Sequence, residues 1–553
     1  MEQIPSFNQY IEDSVIKFWD KDAFTDYKGA TLQFHDVARK IEKLHIMFEN
    51  SGVKRGDKIA LCGRNSSHWA VAFLATLTYG AIAVPVQNEF TPEQIHNIVN
   101  HSESKLLFVG DVVCTQVNPD MMPALEGIVY LPDFSIVISR SEQLTFAREH
   151  LNEIFGKRYP KYFRKEHIHY YKEQSPEELA MINYTSGTTG FSKGVMLPYR
   201  ALWGNIDYVL KCLAPNVKPG SNLVSILPMA HMYGLAVEFL FGFINGCHLY
   251  FLNRMPSPSL IAEAFAEVKP RLIVAVPLVI EKIIRRKVLA EVQTNRMKLL
   301  LNMPVINKKI KQHIRDRIME AFGGNAFEII VGGAPLNQGI EEFLNSVGVP
   351  VTIGYGTTET APLITFANYD KYKIASCGPV VDHMEAKVVS PDPANVPGEL
   401  IARGMNVMLG YYKNEDATNA VLDKDGWFHT GDLATMAPSG HIYIKGRIKN
   451  MLLGANGQNV YPEEIEDKLN NMPLVGESII IQRGTKLVAL VHPEIEDKEA
   501  MDFDDDDVKG IMDENLKTLN NQLPPFCKIA AIEIQKEEFQ KTAKKSIKRY
   551  LYK

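Results

Sequence analysis

Up to about residue 450, short apolar runs alternate with stretches whose apolar positions recur every three or four residues. The first pattern predicts strands and the second predicts helices, because side chains repeat with period two on a strand and near 3.6 on a helix. Lys58–Cys62 reads as a strand, 69–77 as a helix, 81–86 as a strand and 106–109 as the next strand. Thr91-Pro92-Glu93-Gln94 starts a helix: a hydroxyl cap, proline at the first position and glutamine at the third, followed by the apolar face Ile95, Ile98 and Val99. A second series predicts strands at 222–227, 248–252, 272–276, 327–331 and 349–353, with helices up to Asn245 and over 339–345. Strands alternating with helices build parallel sheets, whose strands all end at one edge, where ligands bind. Pro228–His231, Pro277, Gly332-Gly333-Ala334 and Gly354-Tyr355-Gly356 follow these strands, so small, kinking and polar residues collect there.

Beyond about residue 370 the texture changes. Short strands such as 441–444, with Val396-Pro397-Gly398-Glu399-Leu400 and 427–432 between them, predict an antiparallel or barrel-like segment. From Asn450 onward a small α+β unit is expected, with strands at 478–481, 487–491 and Ile529–Ile534 and helices at 463–470 and 508–521. The acidic run 504–507 suits a helix start rather than a metal site, since carboxylates favour the positive end of the dipole. The expectation is an α/β protein: a large domain, 1–446, of two parallel αβα sheets plus a small β-barrel-like segment, and a smaller α+β domain, 447–553.

Composition narrows this picture. A chain of 553 residues exceeds one ordinary core. Hydrophobic residues at 46% and charged residues at 23% are those of a soluble globular enzyme, and a net charge of -5 gives no general attraction to nucleic acid or anionic lipid. Six scattered cysteines without a CxxC spacing argue against zinc ribbons and redox pairs and for free thiols in a reducing compartment, the cytoplasm. No basic segment followed by an apolar run opens the chain. The most apolar stretch, 223–252, is interrupted by His231, Glu238, Asn245 and His248, and reads as buried sheet and helix, not as a bilayer span.

The strongest chemical signal is Tyr184-Thr185-Ser186-Gly187-Thr188-Thr189-Gly190-Phe191-Ser192-Lys193-Gly194-Val195. Its glycines let backbone amides approach an anion, its hydroxyls donate hydrogen bonds and Lys193 supplies charge, which together make a phosphate cradle. It is not a Walker A loop, because Lys193 lies three residues past Gly190. A flexible hydroxyl-rich turn is the bland alternative. Taken singly, Glu359 is equally a helix N-terminal carboxylate, Asp432 a turn residue in Thr-Gly-Asp, and His231 a satisfied core histidine.

In order along the chain, these segments resemble the adenylate-forming superfamily of acyl-CoA synthetases, luciferases and peptide-synthetase adenylation domains, over nearly the whole length. The hydroxyl-rich loop matches that family's phosphate loop, with Ser192 where proline is usual. Leu227-Pro228-Met229-Ala230-His231-Met232-Tyr233-Gly234, Gly332-Gly333-Ala334-Pro335, Tyr355-Gly356-Thr357-Thr358-Glu359, Gly398-Glu399-Leu400 through Gly410-Tyr411-Tyr412, Trp427-Phe428-His429-Thr430-Gly431-Asp432 and Gly446-Arg447-Ile448-Lys449 match its later motifs. The resemblance implies ATP, Mg²⁺ and CoA as co-substrates and cofactor. It implies ATP or AMP contacts from Thr185, Ser186, Gly187, Thr188, Thr189, Gly190, Lys193, Gly333, Ala334, Pro335, Tyr355, Gly356, Thr357, Thr358, Asp432 and Arg447. Glu359 and Thr185 would hold the metal, with Trp427 packing near Asp432 as a support. Lys193, His231, Glu359 and Lys545 would carry the chemistry, His231 by orienting the acid and gating the thiol. Lys449 would be the hinge on which the small domain turns, bringing first the segment of Ser546 and then the Gly457 loop, a CoA contact, to the site.

The family's C-terminal segment T-x-x-G-K-I is altered here. In Gln540-Lys541-Thr542-Ala543-Lys544-Lys545-Ser546-Ile547-Lys548-Arg549, the lysine position falls on Ser546. Either Lys545 substitutes through a one-residue shift, or this is a basic solvated tail and adenylation proceeds without that charge. The spacing from Arg447 to Tyr461-Pro462, through Gly454-Ala455-Asn456-Gly457-Gln458-Asn459-Val460, resembles the long-chain fatty acyl members. Met232, Tyr233 and Gly332, with Leu235 and Phe239, would line an acyl pocket, although plain core packing explains each of them singly. The expected reaction joins a long-chain fatty acid to CoA through an acyl-adenylate. Loading of an acyl carrier protein, an aryl-CoA ligase and a non-catalytic binding protein stay open beside it, as does peripheral membrane contact.

Overall fold

The computed structural model describes residues 4–185, 192–284, 307–453, 459–484, 486–494, 504–541 and 547–552. Two large sheets organise the first part. In one, the order is Val351–Ile353, Glu328–Val331, Leu272–Ala275, Asn222–Ser225, His248–Phe251, Asp22–Asp26, Thr31–Gln33. In the other it is Gly410–Tyr411, Lys193–Pro198, Leu179–Thr185, Ile82–Val86, Lys58–Cys62, Ser104–Val109, Gly127–Tyr130, Ile136–Ser139. Both interiors are parallel, as the β-α alternation predicts, but their edges are not. Thr31–Gln33 is antiparallel to Asp22–Asp26, Ile136–Ser139 to Gly127–Tyr130, and Lys193–Pro198 to both Leu179–Thr185 and Gly410–Tyr411. The sheets are therefore mixed. Antiparallel neighbours close in sequence, such as Asp22–Asp26 with Thr31–Gln33 and Gly127–Tyr130 with Ile136–Ser139, are joined by short links, whereas a parallel pair needs a crossover.

The expected barrel-like segment is an open, four-stranded antiparallel sheet, Met384–Val389, Gly398–Gly404, Phe428–Met436 and Ile442–Arg447 in that order. A three-stranded sheet, Val475–Arg483, Lys486–Pro493 and Ile529–Ile534, follows with the helices Pro462–Asn470 and Asp505–Gln522. Its core, with Val460, Leu469, Val491 and Leu519, is a cluster of its own. The acidic run starts its helix as expected: the Asp504 carboxylate accepts the Asp506 and Asp507 amides at 2.9 and 2.8 Å. Thr91 and Gln94 likewise form a reciprocal capping box.

The stretch 223–252 is buried, as expected, but its helix is of an unexpected kind. Gly234–Leu240 winds as a π-helix before the short α-helix Phe241–Ile244. This wider turn presents Phe239 to Trp69, Phe73, Phe24 and Phe251, so one aromatic core joins the two sheets. Such ring pairs add about 0.5–1.5 kcal/mol each beyond the area they bury. Among the described residues no helix is long and apolar enough to cross a membrane. All six cysteines are unpaired.

The strand leading to Gly332 carries a buried acid. Glu328 is 0% exposed; Thr352 donates to its Oε1 at 2.9 Å, and Oε2 has no hydrogen-bond partner among the described residues. Burial pushes its carboxyl up to about 7. A carboxyl raised in the folded state stabilises the fold below its unfolded value, near 4.5, and loses that contribution as pH rises to about 7. Glu328→Gln is therefore expected to leave the thermal midpoint unchanged near pH 4.5 and raise it by a few degrees at pH 8, from roughly 3 kcal/mol or less. Equal midpoints for the two proteins at pH 8 would refute this.

Candidate active site

Thr185 and Lys193 stand directly opposite each other in the antiparallel pair Leu179–Thr185 and Lys193–Pro198, at the base of the hydroxyl-rich loop. The Lys193 ammonium lies 4.6 Å from the centre of the Tyr411 ring. The Tyr411 hydroxyl donates to Glu359 Oε1 at 2.9 Å. Burial, and then the Glu359 charge, push this phenol far above its ordinary value, so it stays protonated and donates. Glu359 sits in the 3-10 turn Thr358–Thr360, after the two-residue strand Tyr355–Gly356. That strand turns back against Leu363–Thr365 so closely that a Cβ on Gly356 would lie 1.8 Å from the Pro362 carbonyl oxygen. Only glycine fits there. The Thr357 amide bonds the Pro362 carbonyl oxygen at 2.9 Å, and Thr358 is buried.

A second cluster is built on the strand pair Phe428–Met436 and Ile442–Arg447, where Asp432 faces Arg447. Asp432 is 4% exposed. Its Oδ2 accepts the Tyr355 hydroxyl at 2.6 Å and its Oδ1 faces Arg447 Nε at 3.0 Å. Burial raises the Asp432 carboxyl, Arg447 and the Tyr355 hydroxyl pull it back, and the charges of Glu359 and Glu463 push it up again. The two clusters thus feel each other's charge. Lys449, in the turn Ile448–Asn450, is lowered by burial and by Arg447, against the pull of Asp432. Trp427 does not support Asp432. Its ring is met instead by Lys387 and Arg403, 4.2 and 4.6 Å from its centre.

At the edge of the other sheet, Tyr233 donates to the Ile330 carbonyl oxygen at 3.1 Å and its ring covers Gly332, where an added Cβ would meet it at 3.0 Å. Gly333 takes φ +84°, and Gly333, Ala334 and Pro335 are exposed beside it. Met232 is buried, while His231 is half-buried at the end of the loop from Asn222–Ser225. Residues not singled out from the sequence hold that loop. Asn65, from the other sheet, bonds Ser225 Oγ at 3.0 Å, the Leu227 carbonyl oxygen at 2.6 Å and the Met229 amide at 2.9 Å. Glu238, in the π-helix, accepts Ser225 Oγ at 3.0 Å and the Ile226 amide at 3.3 Å, and Asn183 bonds the Ala230 carbonyl oxygen at 2.9 Å. A carboxylate inside an apolar run was the one available signal for Glu238; Tyr411 lay in the motif segment Gly410-Tyr411-Tyr412 without a role of its own, and Asn65 had no signal, since its partners are distant in sequence.

The sequence profile described as AMP-binding enzyme matches residues 11–412, and that described as AMP-binding enzyme C-terminal domain matches 449–552. The chain belongs to the AMP-binding enzyme family. Among its relatives, a long-chain-fatty-acid–CoA ligase of Escherichia coli O157:H7 is 31% identical over 86% of this chain and 82% of its own. The long-chain-fatty-acid–CoA ligase ACSBG2 of Rattus norvegicus is 26% identical over 86% and 73%. The fold matches MatB from Rhodopseudomonas palustris with ATP bound (TM-score 0.76, 22% identity, 99% and 98% of the two chains). It also matches the anthranilate CoA ligase AuaEII in complex with anthranoyl-AMP (TM-score 0.79, 17%, 99% and 97%) and Bacillus subtilis MenE, an O-succinylbenzoate CoA synthetase, with ATP and magnesium (TM-score 0.72, 19%, 98% and 98%).

For an AMP-binding enzyme, the donor set fits magnesium of one kind only. Among the described residues no cluster of three or more His, Cys, Asp or Glu side chains could cage a metal. Mg²⁺ prefers one or two protein oxygens with substrate phosphates and water completing its shell, and a single carboxylate such as Glu359 fits that need. Ser186, Gly187, Thr188, Thr189, Gly190, Gly457 and Lys545 lie outside the described residues.

Proposed function

We propose that this enzyme activates a long-chain fatty acid with ATP and transfers it to CoA. The observation that carries the reading is the line of contacts from Lys193 through Tyr411 to Glu359, which sets a cation and a hard-oxygen carboxylate at the base of the hydroxyl-rich loop. The substrate carboxylate attacks the α-phosphorus of ATP, forming the acyl-adenylate and releasing pyrophosphate. The CoA thiol then attacks the acyl carbon, losing its proton and releasing AMP. An anion attacking an anion needs charge relief: Lys193 supplies it from the protein, and bound Mg²⁺ would polarise the phosphoryl oxygens. Asp432 and Arg447 take the ribose, Tyr355 to Thr358 and Gly333 to Pro335 the nucleotide. Lys545 assists the first half-reaction, and the segment beyond Lys449 turns to admit CoA at the Gly457 loop. His231 orients the acid rather than acting as a base, because a carboxylate is already ionised at neutral pH.

The fatty acid is supported by the names of the relatives, long-chain-fatty-acid–CoA ligases; Phe239, expected beside the acyl chain, packs instead in the aromatic core with Trp69, Phe73, Phe24 and Phe251. Unpaired thiols support the cytoplasm as its compartment. AMP release in the presence of CoA, measured across acetate, octanoate, palmitate and benzoate, is expected to be fastest with palmitate. A preference for acetate or benzoate would end the long-chain reading. Release of acyl-adenylate without thioester in the presence of CoA would exclude CoA as the acceptor, and no AMP with any acid would leave a binding protein.

A further inference from the structure

The strap 408–411 is sewn to two functional elements at once. On one side Tyr411 pairs with Val195 in the strand that begins at Lys193; on the other, the Met408 amide bonds the Glu359 carbonyl oxygen at 2.8 Å. The Tyr411 amide is fixed in turn on Thr418 Oγ1 at 2.9 Å, and the side chain is 6% exposed. A lysine and a glutamate that must both face a triphosphate attract each other, and a direct pair would occupy the groups needed for phosphate and metal. Among the described residues no ion pair joins Lys193 to Glu359; the Tyr411 ring meets the ammonium on its face and the carboxylate at its hydroxyl.

We propose that Tyr411 is a positioning residue that keeps Lys193 and Glu359 apart, its ring holding the ammonium toward phosphate and its hydroxyl aiming the carboxylate at magnesium. This rests on the roles given to Lys193 and Glu359 under the proposed function. Partners that orient a metal ligand typically change metal affinity by 10–100-fold when removed. Tyr411→Phe keeps the ring and removes the donor, whereas Tyr411→Leu removes both.

The test is calorimetric binding of ATP at stepped Mg²⁺ concentrations, without acid or CoA. The Phe variant is expected to need about tenfold more Mg²⁺ for half-maximal binding, with its affinity for metal-free ATP unchanged. The Leu variant is expected to weaken metal-free ATP as well, because Lys193 is released toward Glu359. A wild-type protein that binds no Mg·ATP would defeat the functional reading itself, whatever Tyr411 does. If the wild type binds and Tyr411→Phe reproduces its Mg²⁺ dependence, or loses affinity equally with and without Mg²⁺ as a merely structural role would require, the Tyr411 assignment is overturned.

Discussion

Lys193→Ala is expected to lower acid-dependent exchange of pyrophosphate into ATP by about 10²–10³-fold, the usual cost of removing a preorganised charge from a developing phosphoryl transition state. The loss should fall on kcat more than on the KM for ATP, since the triphosphate gathers charge as the carboxylate approaches. The fold should not change. Lys193 is half-buried, and its described side-chain contact is the Tyr411 face, so circular dichroism and the thermal midpoint of the variant should match the wild type. Lys545→Ala, measured beside it, separates the two lysines. Among the described residues on either side of it, Lys541 bridges Ile547 and pairs with Glu477 at 2.7 Å, and Arg549 bonds Glu466. A fall in exchange rate with the thioester-forming step intact would assign Lys545 to adenylation. Wild-type exchange in Lys545→Ala would remove it from the mechanism, and wild-type exchange in Lys193→Ala would remove the phosphate-loop reading with it.

The apolar pattern made the parallel interiors legible, because strands buried on both faces are continuous apolar runs bounded by small and turn residues. Lys58–Cys62 and Ile529–Ile534 stand where the pattern places them, and other strands differ by one to three residues at their ends. Edge strands were less legible. Gly410–Tyr411 joins the large sheet across more than 200 residues of chain, and two residues carry no periodicity. The π-helix was hidden for another reason: 3.6 and wider turns cannot be told apart when every position is apolar, as over Gly234–Leu240 apart from Glu238. In the site, the glycine- and hydroxyl-rich motifs announce themselves because their chemistry is local. Tyr411, Asn65 and Glu238 act across elements, and only the folded chain brings Asn65 to Ser225 or Tyr411 to Glu359. Trp427 was placed beside Asp432 by nearness in sequence alone, whereas its ring meets Lys387 and Arg403, neighbours that only the folded sheet supplies.

Asp432→Asn is expected to raise the KM for ATP at least about 10²-fold, and hydrogen-bond arithmetic explains why so isosteric a change costs so much. A carboxylate has roughly four acceptor sites. Tyr355 uses one on Oδ2 and Arg447 one on Oδ1, which leaves two, the number a ribose diol can fill. Asparagine offers a single oxygen and turns an N–H toward one of the two protein donors. It keeps at most one ribose acceptor, now uncharged, and leaves Tyr355 or Arg447 facing a donor. Two hydrogen bonds to a charged acceptor are together worth about 3–6 kcal/mol, or 10²–10⁴ in affinity. The decisive measurement is a cycle with 2′-deoxy-ATP and 3′-deoxy-ATP. The wild type should discriminate against both, and Asp432→Asn should lose that discrimination toward at least one of them. Undiminished discrimination in Asp432→Asn would show that the ribose is held elsewhere, and Asp432 would then be left as the buried partner of Tyr355 and Arg447 alone.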